Sequence, residues 1–279
     1  MGEGEKLERY GEMTIVRPEP QALGSRRLPP AQWAKADAAF TGDVEEEGPG
    51  RWRFERPLPE SWQMRLGNVR FACRFTSFRH VGIFPEQVTH WTHMQERIRA
   101  ARRPVKVLNL FGYTGIASLL AAEAGAQVTH VDASKKAIAW ARENQALSRL
   151  DDKPIRWICE DAMKFVAREA RRGSRYDIIL VDPPKYGRGP NGEVWDIFRD
   201  LPEMLTLCRD LLSDEPLDLI LTVYAMRASF VAFQELAREI LAPRGGQLQS
   251  GELVLTEAGG DRALSTSLFC RWQPDGGKP

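Results

Sequence analysis

VKVLNLFGYTG, residues 105 to 115, decides how the rest of the chain reads. Apolar side chains dominate Val105 to Leu110 and stop at Phe111-Gly112-Tyr113-Thr114-Gly115, and the stretch that follows, Ile116 to Ala126, carries one charge, Glu123. A strand-length apolar run, a glycine turn and a helical stretch make one βα unit. The texture then repeats. AQVTHVD (126–132), IRWICE (155–160), YDIILVD (176–182) and LDLILTVY (217–224) read as strands, with helix candidates beginning near Ile116, Ser134, Asp161, Val194 and Ser229. Such alternation implies a parallel sheet covered by helices on both faces. The last two strands, near Leu248 to Thr256 and Ser265 to Trp272, have no helix between them and are expected to pair antiparallel. The expected fold class is α/β: a doubly wound, mostly parallel seven-stranded sheet with an antiparallel C-terminal edge.

Upstream of residue 105 the sequence differs in kind. VRPEPQALG (16–24), RRLPP (26–30) and EEEGPG (45–50) are breaker clusters between short candidate strands such as Met13 to Val16 and Arg51 to Phe54. Residues 68 to 78, NVRFACRFTSF, alternate Val69, Phe71, Cys73 and Phe75 with polar residues, the period of a half-exposed strand. The expected division is a small β-rich appendage, residues 1–75, and a larger domain, residues 76–279.

The chain has 279 residues and a formal net charge of +1, so overall charge points to no partner. The basic excess is local: residues 62 to 104 hold eight basic and two acidic side chains. Arg65, Arg70, Arg74 and Arg79, with the run Arg97, Arg99, Arg102 and Arg103, are the best candidates for a nucleic-acid surface. A solvated helix end explains the second group equally well. MGEGEKLERY at the start lacks the apolar stretch of a signal peptide, and no apolar run reaches membrane-spanning length. A cytoplasmic protein with no membrane partner is expected. The four cysteines form no CxxC pair and read as reduced thiols. His90 and His93 in HWTHM share a helical spacing, but no third ligand lies nearby, so packing is preferred to a metal.

Open α/β sheets bind ligands beyond the carboxyl ends of their strands. There an acid closes three successive strands: Asp132, then Glu160-Asp161, then Asp182 in DPPKY. Asp132 and Asp161 are each open to a second reading as helix N-caps. A glycine turn followed by an acid after the next strand suits a nucleotide-like ligand, with the acid accepting from ribose hydroxyls. GYTGIA lacks the dinucleotide spacing G-x-G-x-x-G, and GIAS lacks the P-loop lysine. An adenosine ligand without phosphates is favoured, and a nicotinamide oxidoreductase is disfavoured.

These motifs resemble the class I S-adenosylmethionine-dependent methyltransferases, which carry a Rossmann-like sheet, and within them the ribosomal-RNA large-subunit methyltransferase group. VLNLFGYTG, THVDAS, CEDA and VDPPKY occur in that group's order, and the resemblance covers roughly residues 80 to 272. It implies S-adenosylmethionine as cofactor, no metal, and RNA, ribosomal in particular, as substrate. By the resemblance Phe111, Gly112, Tyr113, Thr114 and Gly115 would wrap the methionine part and Asp132, with Ala133 beside it, would hold the ribose. Asp161 and Ala162 would meet the adenine, and Asp182 would border the cofactor as well as the acceptor. HVGIFPEQ (80–87) resembles the group's stretch before the sheet, placing Phe84 and Gln87 beside the cofactor. Phe111 and Tyr113 replace two glycines of the commonest first motif, as they do in the ribosomal-RNA group. No PUA domain is recognisable in residues 1 to 75.

The fourth motif carries the expected chemistry. In a related D-P-P-aromatic motif the carboxylate and the next carbonyl accept from a target amino group while an aromatic ring stacks on the base. Asp182, Pro183, Lys185 and Tyr186 are therefore the candidate catalytic residues, with the aromatic displaced by one position. Tyr186 has two readings, base stacking and packing on its own loop. Lys185 and Arg188 lie in a Gly-rich, movable loop, KYGRGPNGE (185–193), and read either as phosphate contacts or as solvated charges. Lys185 stands where some pyrimidine-C5 enzymes place a cysteine, and LTVYAMR (221–227) has no thiol. Direct in-line transfer to nitrogen or oxygen, without a covalent cysteine adduct, is expected. A protein or small-molecule acceptor, and a noncatalytic RNA-binding protein with this fold, remain as alternatives.

Overall fold

The computed structural model describes residues 1–42, 50–224 and 228–276. The cluster EEEGPG, apart from Gly50, and the AMR of LTVYAMR lie outside the described residues. Among the described residues no helix is long and apolar enough to cross a membrane. The chain folds as two compact units, Met1–Phe84 with Leu255–Ser265, and Pro85–Val254 with Thr266–Pro279.

In the first unit β1 (Glu5–Tyr10) and β2 (Met13–Pro18) form a hairpin, and α1 (Pro30–Trp33) is a single turn. β3 (Ala38–Thr41), parallel to β2, and β4 (Arg51–Phe54) complete a four-stranded sheet. β5 (Ser61–Leu66) and β6 (Val69–Arg74) pair separately. The alternation expected over residues 68 to 78 is realised in part: Val69, Phe71 and Cys73 are buried and Arg70 is exposed, but Ala72 is buried as well and the strand ends at Arg74. Arg65 and Arg70 are direct cross-strand partners, and Arg74 shares their face by its even spacing. Arg79 lies beyond the strand.

The second unit runs through α2 (Val88–Ala100), β7 (Lys106–Leu110), α3 (Ile116–Glu123), β8 (Gln127–Asp132), α4 (Lys135–Leu147) and β9 (Ile155–Cys159). It continues with α5 (Ala162–Arg171), β10 (Ile178–Val181), a small hairpin of β11 (Tyr186–Arg188) and β12 (Val194–Asp196), and α6 (Ile197–Leu211). β13 (Asp218–Tyr224), α7 (Phe230–Leu241) and the greater parts of β14 (Gln247–Thr256) and β15 (Ala263–Gln273) complete it. The seven-stranded sheet has the order β14-β15-β13-β10-β7-β8-β9, parallel from β13 to β9, with β15 antiparallel to β13. This is the expected doubly wound α/β class with its antiparallel edge. β10 is apolar and buried along its whole length, as a strand covered on both faces must be. Phe165, Met204 and Cys208 from the helices pack on Leu108, Ile179 and Leu219 of the strands.

Three sequence readings change. The helix expected near Val194 begins at Ile197, because Gly189-Pro190-Asn191-Gly192 forms a turn that pairs Tyr186 to Arg188 with Val194 to Asp196. The segment 185–193, expected as a movable loop, is thus partly strand. Three of the four arginines at and just beyond the end of α2 are occupied by acids at the amino edge of the sheet. Arg97 is buried against Asp218 at 3.3 Å, Arg99 pairs with Glu123 at 2.7 Å and Arg103 with Asp177 at 3.0 Å. Of the HWTHM histidines, His93 bonds Asp218 at 2.8 Å and buried His90 packs edge-on against Phe269.

Candidate functional site

Register alone assembles the strand ends. Leu110 pairs with Val131 on one side and Val181 on the other, so Phe111, Asp132 and Asp182 emerge level at the carboxyl edge. Strand order reverses between β7 and β10, the position where open α/β sheets leave a crevice. Asp132 and Asp182 flank β7, two strand spacings or about 10 Å apart.

The turn after β7 keeps a glycine-like backbone without the glycines. Phe111, Tyr113 and Gly115 all have left-handed φ, at 59°, 50° and 78°. A left-handed non-glycine residue costs about 1–2 kcal/mol. Two features offset this. The Phe111 ring packs on Trp195, centroids 5.1 Å apart, and Tyr113 on Trp140 at 5.8 Å. Such pairs contribute about 0.5–1.5 kcal/mol. The Tyr113 amide also donates to Asp132 Oδ2 at 2.9 Å, and a bond to a charged group is worth about 1.5–3 kcal/mol. A Cβ on Gly112 would sit 2.4 Å from His130 Cε1, and one on Gly115 2.8 Å from the Ala141 methyl. Both glycines are therefore demanded by the packing beneath the turn, and Thr114 is buried with its carbonyl accepting from Asn144.

The two readings of the acids resolve differently. Asp132 is not the cap of α4: Ser134 is, accepting from the Ala137 amide, while Asp132 Oδ1 accepts from the Ser134 amide at 2.8 Å. Each Asp132 oxygen thus holds one backbone amide and keeps acceptor capacity for a second donor. Burial holds its carboxyl above the usual range despite these two bonds. Asp161 does cap α5, accepting from the Lys164 amide at 3.0 Å, with Ala162 buried as the first helical residue. Ala133 follows Asp132, and its carbonyl faces the Cys159 thiol at 3.7 Å.

Asp182 is held from the other side. Gln87 Nε2 donates to Asp182 Oδ2 at 2.8 Å, and Gln87 Oε1 accepts from Thr222 Oγ1 at 3.3 Å. Burial, with the Glu86 carboxylate adding repulsion, pushes Asp182 up to about 8. Phe84 closes the first unit, its ring 4.7 Å from that of His80. Pro183 is buried, while Pro184, Lys185 and Tyr186 are exposed. The Pro184 carbonyl accepts from Trp195 Nε1 at 2.7 Å, and the Lys185 carbonyl from the Ile197 amide at 3.0 Å. Tyr186 is 53% exposed, which leaves ring surface open to a partner. Sequence reading missed Glu86, Thr222 and Trp195. Glu86 stood inside the quoted HVGIFPEQ, but which strand end it would face was not legible.

This donor set fits S-adenosylmethionine. The cofactor carries a sulfonium and an ammonium, and Asp182 is a partly buried carboxyl with no ion pair among the described residues and one hydrogen bond, from a neutral amide. A nearby cation would favour its ionised form. A cation bound beside Asp182 would expel that proton below pH about 8, so the carboxyl's share of the affinity should grow with pH, by at most about tenfold per unit, and level off above about 8. Calorimetry of S-adenosylmethionine binding to the wild type and to Asp182→Asn checks this. The ratio of the two affinities should rise between pH about 6 and 8, and a constant ratio rejects it.

Comparison with known proteins agrees with the geometry. Residues 43–239 match the family model described as S-adenosylmethionine-dependent methyltransferase. A ribosomal RNA large subunit methyltransferase K/L of Desulfotalea psychrophila is 33% identical over 172 residues, 60% of this chain and 23% of that protein. The protein of that name from Pseudomonas aeruginosa is 32% identical over 166 residues, 58% of this chain and 22% of its own length. The chain thus matches under a quarter of the length of these curated relatives. A crystal structure of a SAM-dependent methyltransferase from Agrobacterium tumefaciens is 58% identical, with a TM-score of 0.95 over 98% of this chain and 88% of that one.

Proposed function

The chain belongs to the S-adenosylmethionine-dependent methyltransferase family, and from that premise we propose that it methylates a nucleobase of RNA, ribosomal RNA in particular, by direct in-line transfer. The observation that carries this reading is the DPPKY turn. A partly buried carboxyl stands level with the first-motif turn, and four residues later an aromatic ring is half exposed. The curated relatives' names add support for ribosomal RNA.

The cofactor supplies a methyl group that is already strongly electrophilic, so the chain's task is alignment and exclusion of water. On this reading Phe111 to Gly115 and Asp132 fix the cofactor, with Asp161, Ala162, Ala133 and Gln87 beside it. Asp182 and the Pro183 carbonyl accept from the acceptor's N–H groups, and Tyr186 stacks on its ring. Lys185 neutralises phosphate. With the methyl transferred and the sulfonium charge gone from the site, Asp182 would regain its raised proton affinity and take the proton that the methylated acceptor nitrogen sheds.

A covalent cysteine route has no support. Burial pushes the Cys73 and Cys270 thiols up to about 12, and Cys208 is raised further by the same cause. Cys159 is exposed but ends β9, three strands or about 14 Å from β10. Mass spectrometry of rRNA nucleosides from a deletion strain tests the whole reading. Wild type and Cys159→Ser should restore one methylated nucleoside and Asp182→Ala should not. An rRNA profile unchanged by wild type would move the acceptor elsewhere, and failure of Cys159→Ser with intact cofactor binding would revive the covalent route.

A further inference from the structure

We propose that the β11–β12 hairpin and the first turn of α6 form a platform for the single-stranded RNA flanking the acceptor base, with Phe198 stacking a neighbouring base and Arg188 meeting a phosphate. This rests on the RNA reading above and goes beyond it, since none of that reading involves Phe198.

The geometry points there through exposure and chain connection. Phe198 is 60% exposed, and Tyr186 and Val194 are also among the exposed large apolar side chains. They are neighbours by construction. Tyr186 pairs with Asp196 and Arg188 with Val194 across the hairpin, so by strand alternation these four side chains share one face. Gly187 and buried Trp195 take the opposite face. The Asp196 carboxylate accepts from the Phe198 amide at 3.0 Å, and the adjoining Ile197 amide donates to the Lys185 carbonyl at 3.0 Å. Phe198 is therefore fixed one residue from a backbone tie to the DPPKY turn.

Its ring is also braced. It lies nearly parallel to Phe233, 26° between planes and 6.5 Å between centroids, leaving the outer face to solvent. A braced ring loses little rotamer freedom when a flat partner lands on it. Charge complements the rings: Lys185 and Arg188 are exposed and form no ion pair among the described residues. That contrasts with Arg97, Arg99 and Arg103, which acids occupy. Aromatic rings interleaved with cations available for pairing are what a single strand needs, because every base has a π-face and every linkage a phosphate. A folded protein acceptor would need acids opposite these cations and would gain nothing from a bare ring beside the reacting position.

The test is fluorescence anisotropy of the full chain with a labelled oligouridine of about twelve nucleotides. Phe198→Ala should weaken binding about tenfold and Phe198→Tyr should restore it. Arg188→Ala should flatten the salt dependence by about 0.7 log units per tenfold salt. Calorimetric affinity for S-adenosylmethionine should stay unchanged in all three, which guards against misfolding. Wild-type binding with Phe198→Ala indistinguishable from it would overturn the platform alone. No oligouridine binding by the wild type, at any salt, would overturn the RNA reading with it.

Discussion

Asp182→Asn is expected to lower methyl transfer by about a thousandfold in single-turnover assays, with the fold intact. The substitution is isosteric, so Gln87 retains a partner and the end of β10 keeps its shape. What disappears is charge and basicity. The asparagine cannot take a proton, and it offers the acceptor nitrogen one oxygen instead of two. Removing one preorganised polar group at a reacting centre typically costs about 10²–10³ in rate, and loss of a proton acceptor adds to that. S-adenosylmethionine affinity should fall far less than the rate. Turnover within tenfold of wild type would move the chemistry off β10 and onto another group.

The second large effect is on binding. Asp132→Ala should weaken S-adenosylmethionine affinity by at least about a hundredfold, read by calorimetry. Two backbone amides, Tyr113 and Ser134, donate to this carboxylate. Each charge-assisted bond is worth about 1.5–3 kcal/mol, and without it the left-handed conformation of Tyr113 is no longer compensated. The turn would lose its shape as well as the carboxylate proposed to hold the ribose. Asp132→Asn keeps one acceptor oxygen and should fall in between, at about tenfold, which separates a local effect from a general loss of folding. An alanine variant binding within threefold of wild type would show that the turn holds itself and that the ribose is recognised elsewhere.

Much of the fold was legible because it depends on local patterns. Apolar runs of strand length alternating with helical stretches force a covered parallel sheet, and each of the five parallel strands lies where its run stands. The acids at strand ends were readable too, since a polar residue ending a buried run marks the edge of the core. Less was legible wherever two distant segments decide the outcome. The sequence shows that Val194 is apolar and that Gly189-Pro190-Asn191-Gly192 breaks the chain, but whether the flanks pair depended on Trp195 finding the Pro184 carbonyl and Gly187 leaving room. Arg97 and Arg103 looked like part of a basic surface because their acids, Asp218 and Asp177, are more than 70 positions away.

By itself, then, the amino-acid order determined the class of sheet, the glycine turn and the identity of the three terminal acids, all of which follow from periodicity and side-chain type. Tertiary structure alone decided which acid caps a helix and which is left to bind. It also decided that Phe111 and Tyr113 adopt a glycine's backbone, and that Asp182 meets the Gln87 amide and the Glu86 charge. The reason is physical: conformation at a turn and proton affinity in a crevice are set by the hydrogen bonds and the water that neighbouring strands grant or withhold, and those neighbours are assigned only when the sheet closes.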